Sequence, residues 1–439
     1  MRSTHAAEVN VDNICGWIAQ TQPLPARSAL KGTQQADWLV IGAGITGLCA
    51  AHSLAELHPD ARIVIVDRQC AAQGASARNS GFVVAHEHPT ESELLGNVGF
   101  DGFEVDTAIS RAASDEVRQR IARHAIDCDY RDNGYFFAVH DADKLDHVDS
   151  KLATLLALGA SAQFLQGDAL HQKLGTAHYQ AGIWCGNGNA LLQPAKYVKG
   201  LLAALPASVS LFEHTDISGL ERMGNGSIRA TSPGGSIEAR HVLVCLNAFV
   251  PRVGLDHSAT FPMELSASLT RPLTDKECAA EPWGVLSTRP LGATVRLTPD
   301  RRVMIRNTAE YRTRDLSNTD LLQRRQHHVR GLQRRFPWLT EQDIHYTWTG
   351  HLSASRSGQP YFAKVENNLY AIAGCNGSGV ARGTLWGRLM AQWACGHSSP
   401  LLQSVIQRAQ PGWLPPRPLF DLGALLRMRI EAVRARSEI

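Results

Sequence analysis

Two apolar runs near the start of the chain, Trp38-Leu39-Val40-Ile41 and Ile63-Val64-Ile65-Val66, contain no polar residue. Unbroken runs of this length mark strands covered on both faces, as in a parallel sheet. Between them, Leu48–Leu57 reads as a buried helix that His58-Pro59-Asp60 ends, because proline cannot propagate a helix. Val105, Ile109, Val117, Ile121 and Ile126 predict an amphipathic helix over 104–127. Tyr135–Val139 predicts a strand and Ala142–Leu158 a helix closed by Gly159. Gln193-Pro194 opens a helix over Ala195–Leu205, and Val209–Phe212 and His241–Val244 read as further strands. From 262 to 310 the pattern becomes extended, at Glu264–Thr270, Thr294–Leu297 and Val303–Ile305, which predicts a mostly antiparallel sheet. A polar helix, Thr319–Phe336, follows it, while residues 1–36 read as an irregular arm.

Three glycine-rich stretches add chemistry to this pattern. The first strand runs into Gly42-Ala43-Gly44-Ile45-Thr46-Gly47, and the second ends on Asp67-Arg68. A strand turning tightly into a helix needs glycine for the turn, for approach of backbone to a pyrophosphate, and for helix–strand packing. The helix N-terminus offers amides and partial positive charge to phosphate, and the acid about twenty residues on suits ribose hydroxyls. The second stretch, Gly74-Ala75-Ser76-Ala77-Arg78-Asn79-Ser80-Gly81, presses small residues and several donors toward the same sheet edge. The third, Gly374-Cys375-Asn376-Gly377-Ser378-Gly379-Val380, is again strand, glycine turn and helix. These motifs predict an α/β chain with a Rossmann-like dinucleotide domain and an inserted α+β domain on a mixed or antiparallel sheet. The expected boundaries are 1–89, 186–252 and 346–439 for the first, and 90–185 and 253–345 for the second.

Size and charge narrow the classes. A chain of 439 residues with 44% hydrophobic and 19% charged residues is an ordinary globular protein of about two domains. A net charge of +3 is too small to argue for nucleic acid or an acidic membrane surface. The nine cysteines include no C-x-x-C pair, Met1–Gln20 has no signal pattern, and no segment is apolar enough to span a bilayer. A cytoplasmic protein with reduced thiols is expected. The arginines of 324–335 read as a solvated helix face. His86-Glu87-His88 lacks a third ligand, so no metal is expected. The tail Leu419–Arg436, apolar on one side and arginine-rich on the other, is expected to pack on the body, with a membrane surface disfavoured.

Taken together, these stretches resemble the D-amino-acid-oxidase-like (DAO) family of FAD-dependent oxidoreductases, nearest its gamma-glutamylputrescine oxidase branch. The resemblance runs from Gly16-Trp17 through the three glycine motifs, Gly182–Pro194, Asn247-Ala248-Phe249, Trp348-Thr349-Gly350 and Gln359-Pro360 to the tail Leu414–Leu419. It implies a glutathione-reductase-type FAD domain and oxidation of a carbon–nitrogen bond by hydride transfer to flavin N5. The imine formed would hydrolyse to an aldehyde or keto acid plus ammonia or a smaller amine, with O2 or another acceptor reoxidising the flavin. It further implies Ile217 beside the adenine, Asn247 and Ala248 near the pyrophosphate, and Gly350 beside the ring. Relatives that bind flavin covalently have cysteine at the Gly350 position, so non-covalent FAD is expected. The cations that hold a substrate carboxylate in sarcosine oxidases fall on Ala381 and Val83–Ala85, and an oxygen-activating lysine near Met304.

Candidate substrate contacts are His351, as acceptor of the amine proton, and Arg296, as a clamp for an acidic group. A hydrogen-bonded structural histidine and a salt bridge inside the sheet are their alternatives. An FAD-carrying electron-transfer subunit is a further reading. A flavin hydroxylase is another, although Asn376-Gly377 lacks the acid that class presents to the flavin ribose.

Overall fold

The computed structural model describes residues 13–86, 100–141, 145–255, 258–288, 291–312 and 316–436. Glu87 and His88 of the His-Glu-His stretch and residues 142–144 of one expected helix lie outside them.

Gly32–Ile41 is the central strand of an eight-stranded sheet. Ile63–Val66 and Gly235–Val244 flank it in parallel, and Val209–Phe212 and Leu369–Ala373 extend the parallel set outward. Tyr361–Glu366 closes one edge antiparallel, and Gly219–Arg222 with Ile228–Ser232 forms an antiparallel extension on Gly235–Val244. Alternation along the apolar runs fills two cores. Val40, Ile65 and Leu243 pack against helix residues such as Leu48 and Leu385, while Leu39, Ile41, Val64, Val66 and Val244 pack on the other face with Ile217. Because the strands are parallel, the segments after Ile41, Val66, Val244 and Ala373 all emerge at one carboxyl edge.

The second eight-stranded sheet runs in the order Ile344–Ser355, Thr260–Pro272, Arg302–Glu310, Thr294–Leu297, Trp283–Ser287, Tyr135–Val139, Ala181–Cys185, Ala162–Gln166. Its pairings are antiparallel except that of Trp283–Ser287 with Tyr135–Val139, so the expected mixed sheet is present. The expected boundary at 346 falls inside Ile344–Ser355, a strand paired with this sheet along its length. Helix Asn318–Arg335 lies on the sheet through Leu321, His328 and Leu332, with a Ser317–Asp320 capping box at its start.

Several elements differ from the reading of the sequence. The arm is not wholly irregular: Gly16–Ala19 is a helical turn whose Trp17 packs edge-on against Trp348, and the central strand begins at Gly32. The first long helix starts at Ile45, because Gly44 already serves as its N-cap. The helix expected over 104–127 spans Phe100–Arg123, and Ile126 lies beyond it, buried in the same core as Val117. The tail forms helix Leu419–Arg434, but its leucines face outward rather than onto the body. What it buries is Glu431, held between Arg427 and Arg434, together with the small Ala435. Among the described residues no helix is long and apolar enough to cross a membrane.

Candidate functional site

The first glycine turn is built as its composition predicts. Gly42 has φ +106°, and a Cβ there would lie 2.7 Å from the Cys245 carbonyl oxygen. A Cβ on Gly47 would lie 1.9 Å from the Gly42 carbonyl oxygen, so helix and strand meet only through glycine. The amide of Ala43 donates to Asp67 Oδ2 at 2.8 Å, and the amide of Ile45 donates to Ser76 Oγ at 3.0 Å. Asp67 Oδ1 also accepts from the Gln69 amide. Burial nevertheless pushes the Asp67 carboxyl above its ordinary range, outweighing these amides. Its neighbour Arg68 is exposed and lies over the Phe249 ring at 5.6 Å, with Arg252 at 5.3 Å.

The second loop sits against this turn. A Cβ on Gly44 would meet Ser76 Oγ at 2.7 Å, so the two backbones close on each other with room for only the Ser76 hydroxyl between them. Gly74 caps the turn Ala75–Arg78. Asn79 donates to the carbonyls of Ser76 and Ala75 and accepts from the Gly81 amide, so its side chain shapes the loop instead of pointing at a ligand. Arg78 donates to the Gln73 and Thr349 carbonyls and to Asn13. Trp348 Nε1 donates to the Arg78 carbonyl, and a Cβ on Gly350 would lie 3.5 Å from Arg78 Cβ. The arm completes the support: Asn13 Oδ1 accepts from the Thr349 amide, and Trp17, Ala77, Leu269, Met304 and Trp348 form one core. Trp17 was marked by the resemblance alone and Asn13 only as part of an arm, since nothing local marks a residue whose partner is more than 300 positions away.

The third loop reaches the same edge. Gly374, Asn376 and Gly377 have φ of +73°, +47° and +89°. Asn376 holds this shape by accepting from the Ser355 amide and donating to the Gly374 and Gly358 carbonyls. Ser378 then caps helix Gly379–Ala394, whose second residue is Val380. Asn247, with φ +46° at the start of the 3-10 segment Asn247–Val253 that includes Ala248, donates to Cys375 Sγ at 3.5 Å. Thus Gly42–Gly47, Asp67, Gly74–Gly81, Asn247 and Gly374–Val380 converge, with Gly350 against the second loop. The Gly44–Ser76 closure and the first-turn amides of the 45–57 helix fit the pyrophosphate of a dinucleotide.

The two candidate substrate contacts do not come together. Arg296 is 2% exposed and donates from Nη1 to the Ser80 and Leu192 carbonyls at 2.8 Å, with its guanidinium 5.2 Å from the centre of the Trp17 ring. Burial lowers its pKa to about 10. It makes no salt bridge with a described residue and holds the Ser80–Gly81 corner. Trp348 and Gly350 face Arg78, so strand alternation puts His351 on the opposite face, where its ring meets Phe249 edge-on at 5.5 Å. Ala381, Val83, Ala85 and Met304 are all buried, and none of them supplies a cation. Among the described residues no group of three or more histidine, cysteine, aspartate or glutamate side chains is arranged to hold a metal.

Comparison with known proteins places this geometry. The family model for FAD-dependent oxidoreductases, DAO, matches residues 37–393. The gamma-glutamylputrescine oxidoreductase of Escherichia coli strain K12 is 26% identical over 367 residues, covering 81% of this chain and 83% of that protein. A glycine oxidase from Geobacillus kaustophilus superposes with a TM-score of 0.70 at 16% identity, over 84% of this chain and 96% of that one. An L-amino acid deaminase from Proteus vulgaris gives 0.67 at 20% identity, over 88% and 96%.

Proposed function

Since the chain belongs to the DAO family of FAD-dependent oxidoreductases, we propose that it oxidises the carbon–nitrogen bond of an amine or amino acid. The product imine would then hydrolyse to a carbonyl compound and ammonia or a smaller amine. The convergence of three glycine loops from distant parts of the chain on one sheet edge carries this reading, because that edge is where such a sheet binds its ligand. FAD bound there supplies the two-electron acceptor. With the Ala43 and Ile45 amides held by Asp67 and Ser76, the next first-turn amides of the helix, Thr46 and Gly47, would take its pyrophosphate, and Asp67 its ribose. Ser76 ties the second loop to the first, Asn79 and Arg78 hold the second loop's own shape and its contact with Thr349, and helix Gly379–Ala394 would present its N-terminal amides to the ring. Gly350 offers no side chain for a bond, so attachment is non-covalent. The apolar residues at 83, 85 and 381 favour an amine recognised by something other than an α-carboxylate.

The test is an anaerobic screen of the purified yellow holoprotein against polyamines, D- and L-amino acids, N-methyl amino acids and aminophosphonates. Bleaching of the flavin by an amine supports the proposal, with amines lacking an α-carboxylate expected to act fastest. Bleaching only by NADPH would point to a hydroxylase. A flavin that no amine reduces would leave an electron-transfer subunit. Acid denaturation should leave all flavin in the supernatant.

A further inference from the structure

The C-terminal helix Leu419–Arg434 turns its most apolar side to solvent. Its inward side is Phe420, Asp421, Ala424, Met428 and Glu431, followed by Ala435, at spacings that keep one face. Phe420 packs on Phe261 and Tyr311, the Tyr311 hydroxyl donates to Asp421, and Glu431 pairs with Arg427 and Arg434. Opposite them, Leu419, Leu422, Leu426, Ile430 and Val433 are 70, 70, 59, 41 and 74% exposed. At 3.6 residues per turn these five side chains fall within an arc of about 80°. Arg427 and Arg434 border that stripe on one side, Arg429 and Arg436 on the other. The helix's two carboxylates, Asp421 and Glu431, both face the body, so the outer side is purely apolar and cationic.

We propose that this face docks the protein on an anionic lipid surface, the stripe entering the headgroup–acyl boundary and the flanking arginines meeting lipid phosphates. Charge selects this occupant. Two copies packed stripe to stripe would set arginine flank against arginine flank with no acid among the described residues on the outer side, whereas a planar bilayer offers phosphate to both flanks at once. Positive charge continues beyond the helix: Arg434 and Arg436 share a recess of about 710 Å³ with Arg334, and among the described residues that line it Asp141 is the single acid. The net charge of +3 conceals this arrangement because it averages over the whole surface.

The full-length holoprotein should cosediment with vesicles of phosphatidylcholine mixed with phosphatidylglycerol, far less with phosphatidylcholine alone, and less as salt rises. Leu422→Glu combined with Leu426→Glu should lower partitioning by about a hundredfold, roughly tenfold for each leucine. Arg429→Glu should erase part of the preference for anionic vesicles. All three positions are exposed and outside the flavin site, so each variant should keep its bound flavin and its reduction by amine, whatever that amine is. Absence of binding to the anionic vesicles would overturn the proposal, as would undiminished binding by the double variant. A concentration-dependent dimer abolished by Leu422→Glu/Leu426→Glu would overturn it in favour of a second copy, and saturable binding of an acidic protein without vesicle binding in favour of a protein partner.

Discussion

A methyl group at Gly47 would sit 1.9 Å from the Gly42 carbonyl oxygen, and that oxygen belongs to the turn itself, so it cannot yield without moving the turn. Gly47→Ala should therefore destabilise the fold by about 1–3 kcal/mol or more, the cost of overpacking, and release flavin, read by urea denaturation and by absorbance. Arg296 gives a different expectation. Arg296→Ala removes the donor shared by the Ser80 and Leu192 carbonyls, which should cost at least about 2 kcal/mol while the KM for the best amine stays unchanged. A substrate clamp would show the reverse, a raised KM at normal stability. His351→Gln should slow anaerobic flavin reduction by less than about tenfold, where loss of a general base costs 10²–10⁴. A larger loss with an altered pH profile would put the substrate on the Phe249 face of its strand.

Elements explain why the second and third loops hold still. Helix Gly379–Ala394 crosses helix Ile45–Leu57 so closely that a Cβ on Gly387 would lie 2.3 Å from the Thr46 carbonyl oxygen, and one on Gly383 2.9 Å from Thr46 Oγ1. This contact sets the third loop at a fixed distance from the first. Gly387→Leu should push the helices apart and weaken flavin retention, measured by FAD titration of the apoprotein, even though residue 387 lies two turns from the loop. The longer helices and the apolar strands were legible because each pattern is local, a 3.6-residue period or an unbroken apolar run, whereas the short helices Gly167–Leu174 and Pro400–Arg408 were not. Strands such as Ala162–Gln166, with only partly buried positions, and Trp283–Ser287, with a glycine inside it, were not. Their pairing partners, far away in sequence, determine them.

At the scale of the whole molecule, burial of histidine predicts acid sensitivity. His328 is fully buried between Ser268 Oγ and Thr308 Oγ1, and burial lowers its pKa to about 3; His52 and His86 are lowered to about 4 in the same way. A depressed folded value means that the unfolded chain, titrating near 6.5, binds more protons. This contribution to stability is complete above pH 6.5 and is lost as pH falls from there toward the folded values. Between pH 6.5 and 5 the loss is about 1.5 kcal/mol for His328, and less for His52 and His86. Urea midpoints should fall across that interval, and His328→Gln should flatten the slope.

Gly42–Gly47 with Asp67, the Gly74–Gly81 and Gly374–Val380 stretches, and the strand–helix order around them announced a dinucleotide edge from composition and spacing alone. Backbone conformations open only to glycine, and acids at a fixed interval from them, are written locally. Which donors face a ligand was decided elsewhere. Asn79 spends its side chain on its own loop, Asn376 ties its loop to Ser355 and Gly358, Arg296 braces a corner, and Asn13 and Trp17 meet Thr349 and Trp348 from the other end of the chain. Hydrogen bonds and ring contacts of this kind depend on where distant backbone comes to lie, and so does the outward turn of the last helix, whose buried side is chosen by Phe261, Tyr311 and its own arginines.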